Sequence, residues 1–254
     1  MSSKGFVKSR AGAPAGFYGV EAAGLAWLAE VPEGARVVRV IEVSDESMTV
    51  ERVKESAPTH AAAVALGRGL ARTHAAGASA YGVPPGTWAG NGFIGPLPLT
   101  HRACGSFGEF FGELRIRPFV RELRDAGTID ATESVLFDRV RERLSRGVIG
   151  GPEQPPSRIH GDLWNGNVLW SAEGAVLIDP AAHGGHRESD LAMLALFGLP
   201  FLEPLLSAYH EAHPLADGWR KRVGLHQLYP LLVHAVLFGR GYAQRALTIA
   251  ESYY

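Results

Sequence analysis

A chain of 254 residues has room for one large domain or two small ones and for a sizeable core. With 46% hydrophobic and 20% charged residues and a net charge of -1, it has a globular composition and lacks the basic surplus of a nucleic-acid or polyanion binder. The single cysteine, Cys104, excludes an internal disulfide and a thiolate metal cluster, and no apolar run is long enough for a membrane span, so a soluble protein of the reducing cytoplasm is expected.

In chain order, Phe6-Val7-Lys8 reads as a short strand, residues 12–19 as a Gly/Pro/Ala loop and residues 21–30 as a helix with Ala22, Leu25 and Leu28 on one face. The β-branched runs 37–43 and 48–53 flank Ser44-Asp45-Glu46-Ser47, which has hairpin chemistry. An Ala/Leu-rich helix follows over 59–75, with Thr59 as its N-cap. Residues 77–98 read as a long loop. Residues 106–124 and 130–146 read as amphipathic helices whose arginines form solvated faces. Short strands are expected at 158–160, 167–171 and 175–179, and helices at 188–197, 200–210 and 225–245. The change of character at residues 53–58 predicts an α+β, two-lobed arrangement. Residues 1–55 would form a small lobe with an antiparallel sheet, and residues 56–254 a larger, mainly helical lobe.

The chemistry concentrates in one segment. Gly161 permits a sharp turn after a strand, Asp162 sits in the loop beyond it, Asn167 comes five positions later, and Asp179 ends the next strand twelve positions after that. A hairpin of this length brings Asn167 and Asp179 together. Magnesium takes oxygen ligands, which Asn167 and Asp179 offer, and an attacking hydroxyl needs a carboxylate to accept its proton, which Asp162 offers. The same three roles at similar spacing occur in protein kinases. A strand lysine, Lys8, and a helix acid, Glu21, match the pair that holds nucleotide phosphates in kinases. By the same analogy, adenine is expected against the linker between the lobes, at backbone groups from Glu51 to Val53. His160 is assigned to the substrate side of the loop, with a bond to the loop backbone as its simplest task. His183 and His186 are read as loop histidines rather than metal ligands, and Asp190 as an acid of a first helical turn.

His160-Gly161-Asp162-Leu163-Trp164-Asn165-Gly166-Asn167 resembles the HGDLWSGN signature of the fructosamine kinase (ketosamine-3-kinase) family. Ile178-Asp179-Pro180-Ala181, Gly185-His186-Arg187-Glu188 and Asp190-Leu191-Ala192 are similar to its IDPA…GHRExDLA segment. Leu228-Tyr229-Pro230-Leu231-Leu232, with Phe238-Gly239 and Gly241-Tyr242, resembles its C-terminal region, and Phe6-Val7-Lys8 its FVK strand. The resemblance implies a protein-kinase-like fold and ATP- and Mg2+-dependent phosphorylation of a sugar hydroxyl on a small sugar-amine, a ketosamine or glycated amine. Asp162 would be the base, Asn167 and Asp179 the magnesium ligands, Lys8 the phosphate lysine, and Trp164 part of the sugar site. Two alternatives stand beside it: an aminoglycoside or amino-sugar phosphotransferase, and a non-catalytic nucleotide-binding pseudokinase. Asn165 replaces the family's serine. Family members also carry strands and a glycine-containing phosphate loop ahead of FVK, whereas five residues precede Phe6 here. That leaves three explanations open: a misassigned start, a reduced lid with a raised nucleotide KM, or a loss of efficient catalysis. The sheet edge left exposed by such a start is an expected homodimer contact.

Overall fold

A computed structural model describes residues 5–253. Strand β1 (Phe6–Ser9) precedes helix α1 (Phe17–Ala29), and β2 (Val40–Val43) and β3 (Ser47–Val50) follow. The three strands form an antiparallel sheet in the order β1-β3-β2. Ser44 closes the β2–β3 turn as its Oγ accepts from the amides of Glu46 and Ser47. The inner face buries Met48 and Val50 against Tyr18 and Leu25 of α1. Phe6, Val7, Ile41 and Val43, on the two edge strands, are exposed.

Helix α1 begins at Phe17, after Gly16 in the left-handed region (φ 79°), rather than at residue 21. Glu21 therefore lies one turn inside the helix. Helix α2 (His60–Ala75) starts as its N-cap predicts, with Thr59 Oγ1 accepting from the Ala62 amide at 3.1 Å. The region read as a long loop contains most of a short hairpin, β4 (Gly92–Ile94) and β5 (Leu97–Leu99). Its turn needs Gly95 at φ 55°.

A continuous helical run follows: α3 (Phe107–Glu109), a π-helical segment over Phe110–Ile116, and α4 (Arg117–Asp125). Here the sequence reading of a solvated arginine face is corrected. Arg115 is 1% exposed. Its guanidinium lies over the Phe110 ring at 4.6 Å and its Nη1 donates to Thr100 O. A run of apolar residues on both sides of the π segment carries this arginine inward. Helix α5 (Ala131–Ser145) opens on a capping box between Asp130 and Glu133.

Residues 157–185 contribute four strands: β6 (Ser157–Ile159), β7 (Val168–Ser171), β8 (Gly174–Leu177) and β9 (His183–Gly185). β7 and β8 form an antiparallel hairpin, and β6 pairs with β9. The hairpin also binds the N-terminal region: Val38 N donates to Leu177 O at 2.9 Å, and Ser56 N to Trp170 O at 2.8 Å. Helices α6 (Arg187–Phe197), α7 (Leu202–Ala212), α8 (Trp219–Phe238) and α9 (Arg240–Ser252) complete the chain. The expected single helix over 225–245 is broken at Gly239 (φ 91°). Two apolar clusters, one around Phe110, Phe137 and Leu228 and one around Leu66, Leu163 and Leu205, take in Ala181 and Leu163 respectively and so anchor the segments on either side of Asp162 and Asp179. The architecture is α+β and protein-kinase-like. No helix among the described residues is long and apolar enough to cross a membrane.

Candidate active site

Strand β6 delivers the chain to Gly161, where φ is 81° and a Cβ would lie 2.2 Å from Ala181 O. Only glycine fits a left-handed turn at that approach. The turn presents Asp162 to a cleft of about 560 Å³, lined among others by Lys8, Glu21, Asn167, Asp179 and Trp164. Six of the residues singled out from sequence therefore share one cavity. A second cavity of about 350 Å³ adjoins it, sharing Phe6, Lys8 and Asp179, and is walled by Val38, Val50, Val53, Leu169 and Ile178.

Within the cleft the polar groups interlock. Asn167 Nδ2 donates to Asp162 O at 2.8 Å and to Asp162 Oδ2 at 3.1 Å. The Ile178 amide donates to Asn167 O at 3.1 Å, so the β7–β8 hairpin puts Asn167 beside the Asp179 segment as its length predicts. Asp179 is one of three non-glycine residues among those described with positive φ, at 55°. Lys8 Nζ bonds Glu21 and, at 2.8 Å, Asp179 Oδ1. Burial works against the lysine's charge, but Glu21 and Asp179 together outweigh it and raise its pKa. Burial pushes the Asp162 carboxyl up to about 7; the bond from Asn167 opposes the rise, while Asp179 and Asp190 add to it. A carboxylate with this proton affinity is suited to accept a proton near neutral pH.

His160 is 1% exposed, and its ring is occupied by the loop itself. Nε2 bonds Ile178 O at 2.9 Å and Nδ1 accepts from the Asp162 amide at 3.3 Å. The ring thus makes the loop-backbone bonds expected as its simplest task, ties Asp162 to the Asp179 segment, and is not among the residues that line the cleft. Glu51 directs its carboxylate toward Arg36 and Arg39, and its amide donates to Arg39 O. Of the two linker residues named from sequence, Val53 is the one whose backbone has no partner among the described residues. Trp164 is 37% exposed and its ring lies over its own loop, where a Cβ on Gly166 would come within 2.3 Å of it.

Sequence reasoning missed the role of Asp190. Its carboxylate is buried and accepts from the His160 and Gly161 amides at 2.8 and 2.9 Å, while His74 Nε2 lies 3.1 Å away. Burial opposes its charge, but His74 and the backbone donors hold it below the ordinary carboxylate range. One signal was an acid one turn ahead of Met193 and Leu194 on the same helix face. His183 and His186 are likewise buried rather than surface residues. His186, Glu188 and His226 place potential ligand atoms within 4.8 Å of one another. Both Glu188 oxygens, however, accept from Arg222, at 2.6 and 2.9 Å, so a cation already neutralises this acid and the cluster is a buried ion-pair network.

The fructosamine kinase family model matches residues 2–253. The chain belongs to the fructosamine kinase family. A Thermobifida fusca protein solved as a candidate fructosamine-3-kinase superposes with a TM-score of 0.90 and is 47% identical, over 98% of this chain and 84% of that one. The "Probable ketoamine kinase" of Thermus thermophilus is 34% identical over 93% of this chain and 82% of its own length. Mouse ketosamine-3-kinase is 34% identical over 62% of this chain, a match that spans half of the mouse protein. An aminoglycoside phosphotransferase solved with gentamicin shares the fold at a TM-score of 0.59 but only 13% identity, over 99% of this chain and 85% of that one.

Proposed function

We propose that this fructosamine kinase family member transfers the γ-phosphoryl group of ATP to a hydroxyl of a ketosamine. The observation that carries the reading is the convergence of Asp162, Asn167, Asp179, Lys8, Glu21 and Trp164 on one cleft. The family relationship and the relatives named ketoamine and ketosamine kinases support it.

Each group has a task that its surroundings fit. The apolar walls beside Val53 suit a flat purine, and the free Val53 backbone can read its edge. Lys8, held by Glu21 and Asp179, faces the position of the nucleotide phosphates. Among the described residues Asn167 Oδ1 has no hydrogen-bond partner, and Asp179 is a half-exposed carboxylate with one oxygen unengaged. Two hard oxygen donors of this kind fit Mg2+, which would draw charge from the transferring phosphoryl group. Asp162 accepts the proton of the attacking hydroxyl as the new O–P bond forms and the bond to ADP breaks. Trp164 offers an aromatic face to the C–H surface of the sugar.

Glu21 and Asp179 are already engaged by Lys8. Among the described residues that line the cleft, Asp162 is thus the only acid left without a cationic partner, too little negative charge to recruit a polycationic aminoglycoside. The experiment is ATP consumption with Mg2+ against N-fructosyl-glycine, kanamycin and choline, with the phosphorylated product read by 31P NMR. Turnover of N-fructosyl-glycine, cut by about 10²–10⁴ in Asp162→Asn, is expected. Turnover of kanamycin alone, or of no acceptor, overturns the assignment.

A further inference from the structure

The aromatic surface that begins at Trp164 continues beyond the cleft. Trp164 meets Phe197 of α6 edge-on with centroids 5.8 Å apart, and Phe197 lies 4.9 Å from His234 of α8. His234 is 5.6 Å from Phe238 and 5.2 Å from Tyr242 of α9. The break at Gly239 sets Phe238 beside Tyr242, at 6.0 Å. Three helices thus supply one aromatic shelf.

Folding does not account for all of it. Phe238 is 67% exposed, more than any other large hydrophobic residue described. A phenyl group left in water and joined to a cleft marks a binding surface. The shelf is also continuous with the cleft on a second side. Leu237, the neighbour of Phe238, lies 4.0 Å from where a Cβ on Gly95 would be, and Gly95 lines the cleft.

Its charge restricts what can bind. His234 Nδ1 donates to Pro230 O at 2.7 Å, and burial lowers the pKa of the ring, with Arg245 adding to the effect. Arg245 is exposed and forms no ion pair among the described residues. Glu133, which reaches α9, is occupied by Arg240 through two hydrogen bonds. Among the described residues, Arg245 is thus an unpaired cation on the helix that carries Tyr242, and the acid that reaches this helix, Glu133, is already paired.

We propose that this shelf binds the amine half of the acceptor and selects ketosamines made from amino acids with an aromatic or branched aliphatic side chain and a free α-carboxylate. The inference rests on the ketosamine reading above. The apolar side chain lies on Phe238 and Tyr242, and the carboxylate faces Arg245. Free Nε-fructosyl-lysine would instead carry a second ammonium, its α-amine, beside the carboxylate, and so bring a positive charge up to Arg245.

The test compares kcat/KM for N-fructosyl-phenylalanine, N-fructosyl-glycine and Nε-fructosyl-lysine, in the wild type and in Phe238→Ala. The phenylalanine adduct should exceed the glycine adduct by about 3–10-fold, the scale of one aromatic pairing, and the lysine adduct should fall below both. Phe238→Ala should bring the phenylalanine-to-glycine ratio to about one, and because its side chain is exposed the substitution should leave the fold intact. A wild-type ratio near one, a ratio unmoved by Phe238→Ala, or a lysine adduct that outperforms the others overturns the proposal while leaving the kinase reading standing. Turnover of none of the three overturns both.

Discussion

Replacing Asp162 by Asn should disable turnover and, in the unliganded protein, raise stability. The half-buried carboxylate is shifted from its ordinary 3.8 to about 7, chiefly by burial. A carboxyl whose proton affinity rises on folding prefers to fold protonated. The penalty for ionising it is absent below pH 4, grows as pH rises from about 4 to about 7, and is level above that. At 1.36 kcal/mol for each tenfold change in proton affinity, the ceiling is about 4 kcal/mol. Water in the open cleft reduces this to roughly 1–2 kcal/mol, equivalent to a rise in Tm of about 2–8 °C for a chain of this size. Asn keeps an oxygen to accept from Asn167 Nδ2, so the neighbouring contact survives the exchange. Turnover should drop by about 10²–10⁴, the usual scale for loss of a general base. Thermal unfolding of both proteins at pH 4.5 and pH 8, without nucleotide, measures the stability arm. A variant no more stable than wild type at pH 8, or one whose advantage is equally large at pH 4.5, would refute the idea that desolvation sets the proton affinity of Asp162.

Three further substitutions separate the other roles. Lys8→Met leaves the carboxylates of Glu21 and Asp179 facing each other and should lower kcat/KM for ATP by about 10²–10³-fold, read from an ATP titration; Lys8→Arg should recover little, since one compact ammonium now serves both acids. Asp190→Asn turns a donor toward at least one of the amides of His160 and Gly161; chemical denaturation should show a loss of about 3 kcal/mol, and kcat should fall with KM for ATP little changed. Gly166→Ala forces the Trp164 ring off the loop and should raise KM for the acceptor while KM for ATP holds, with a change in tryptophan emission as the independent sign.

The parts of the molecule legible in sequence are those determined locally. Thr59 caps α2 because a hydroxyl three residues before an amide is a local arrangement. The Asn167–Asp179 juxtaposition follows from the length of one hairpin. Arg115 and His183 were misread, and the pairing of Glu188 went unforeseen, for the opposite reason. Each is buried by partners far away in sequence: Arg115 by Thr100 and Tyr229, His183 by Phe110, and Glu188 by Arg222. A pattern of polar residues cannot show that a guanidinium waits 34 positions downstream of an acid. The β4–β5 hairpin and β9 escaped notice because each three-residue strand contains glycine or proline, which breaks what little alternation so short a strand can show.

Three carboxylates within thirty positions of one another meet at this loop, and their environments assign them different chemistry. Asp190 is buried but receives two backbone amides and a histidine, so it stays ionised and serves as an anchor. Asp162 is desolvated with a single side-chain donor, so its affinity for a proton rises to where proton transfer is useful. Asp179 is half-exposed and shares Lys8 with Glu21, which leaves an oxygen free on the side where a cation and phosphates would meet. The division depends on which donors each acid receives, not on the acids themselves. Exchanging those donors should therefore exchange behaviour: His74→Leu removes the side-chain partner of Asp190 and should raise the proton affinity of that acid. The loop would then lose its anchor as pH falls, over a range beginning higher than in the wild type. An acid-unfolding midpoint that stays put in His74→Leu would show that the two backbone amides alone hold Asp190 charged.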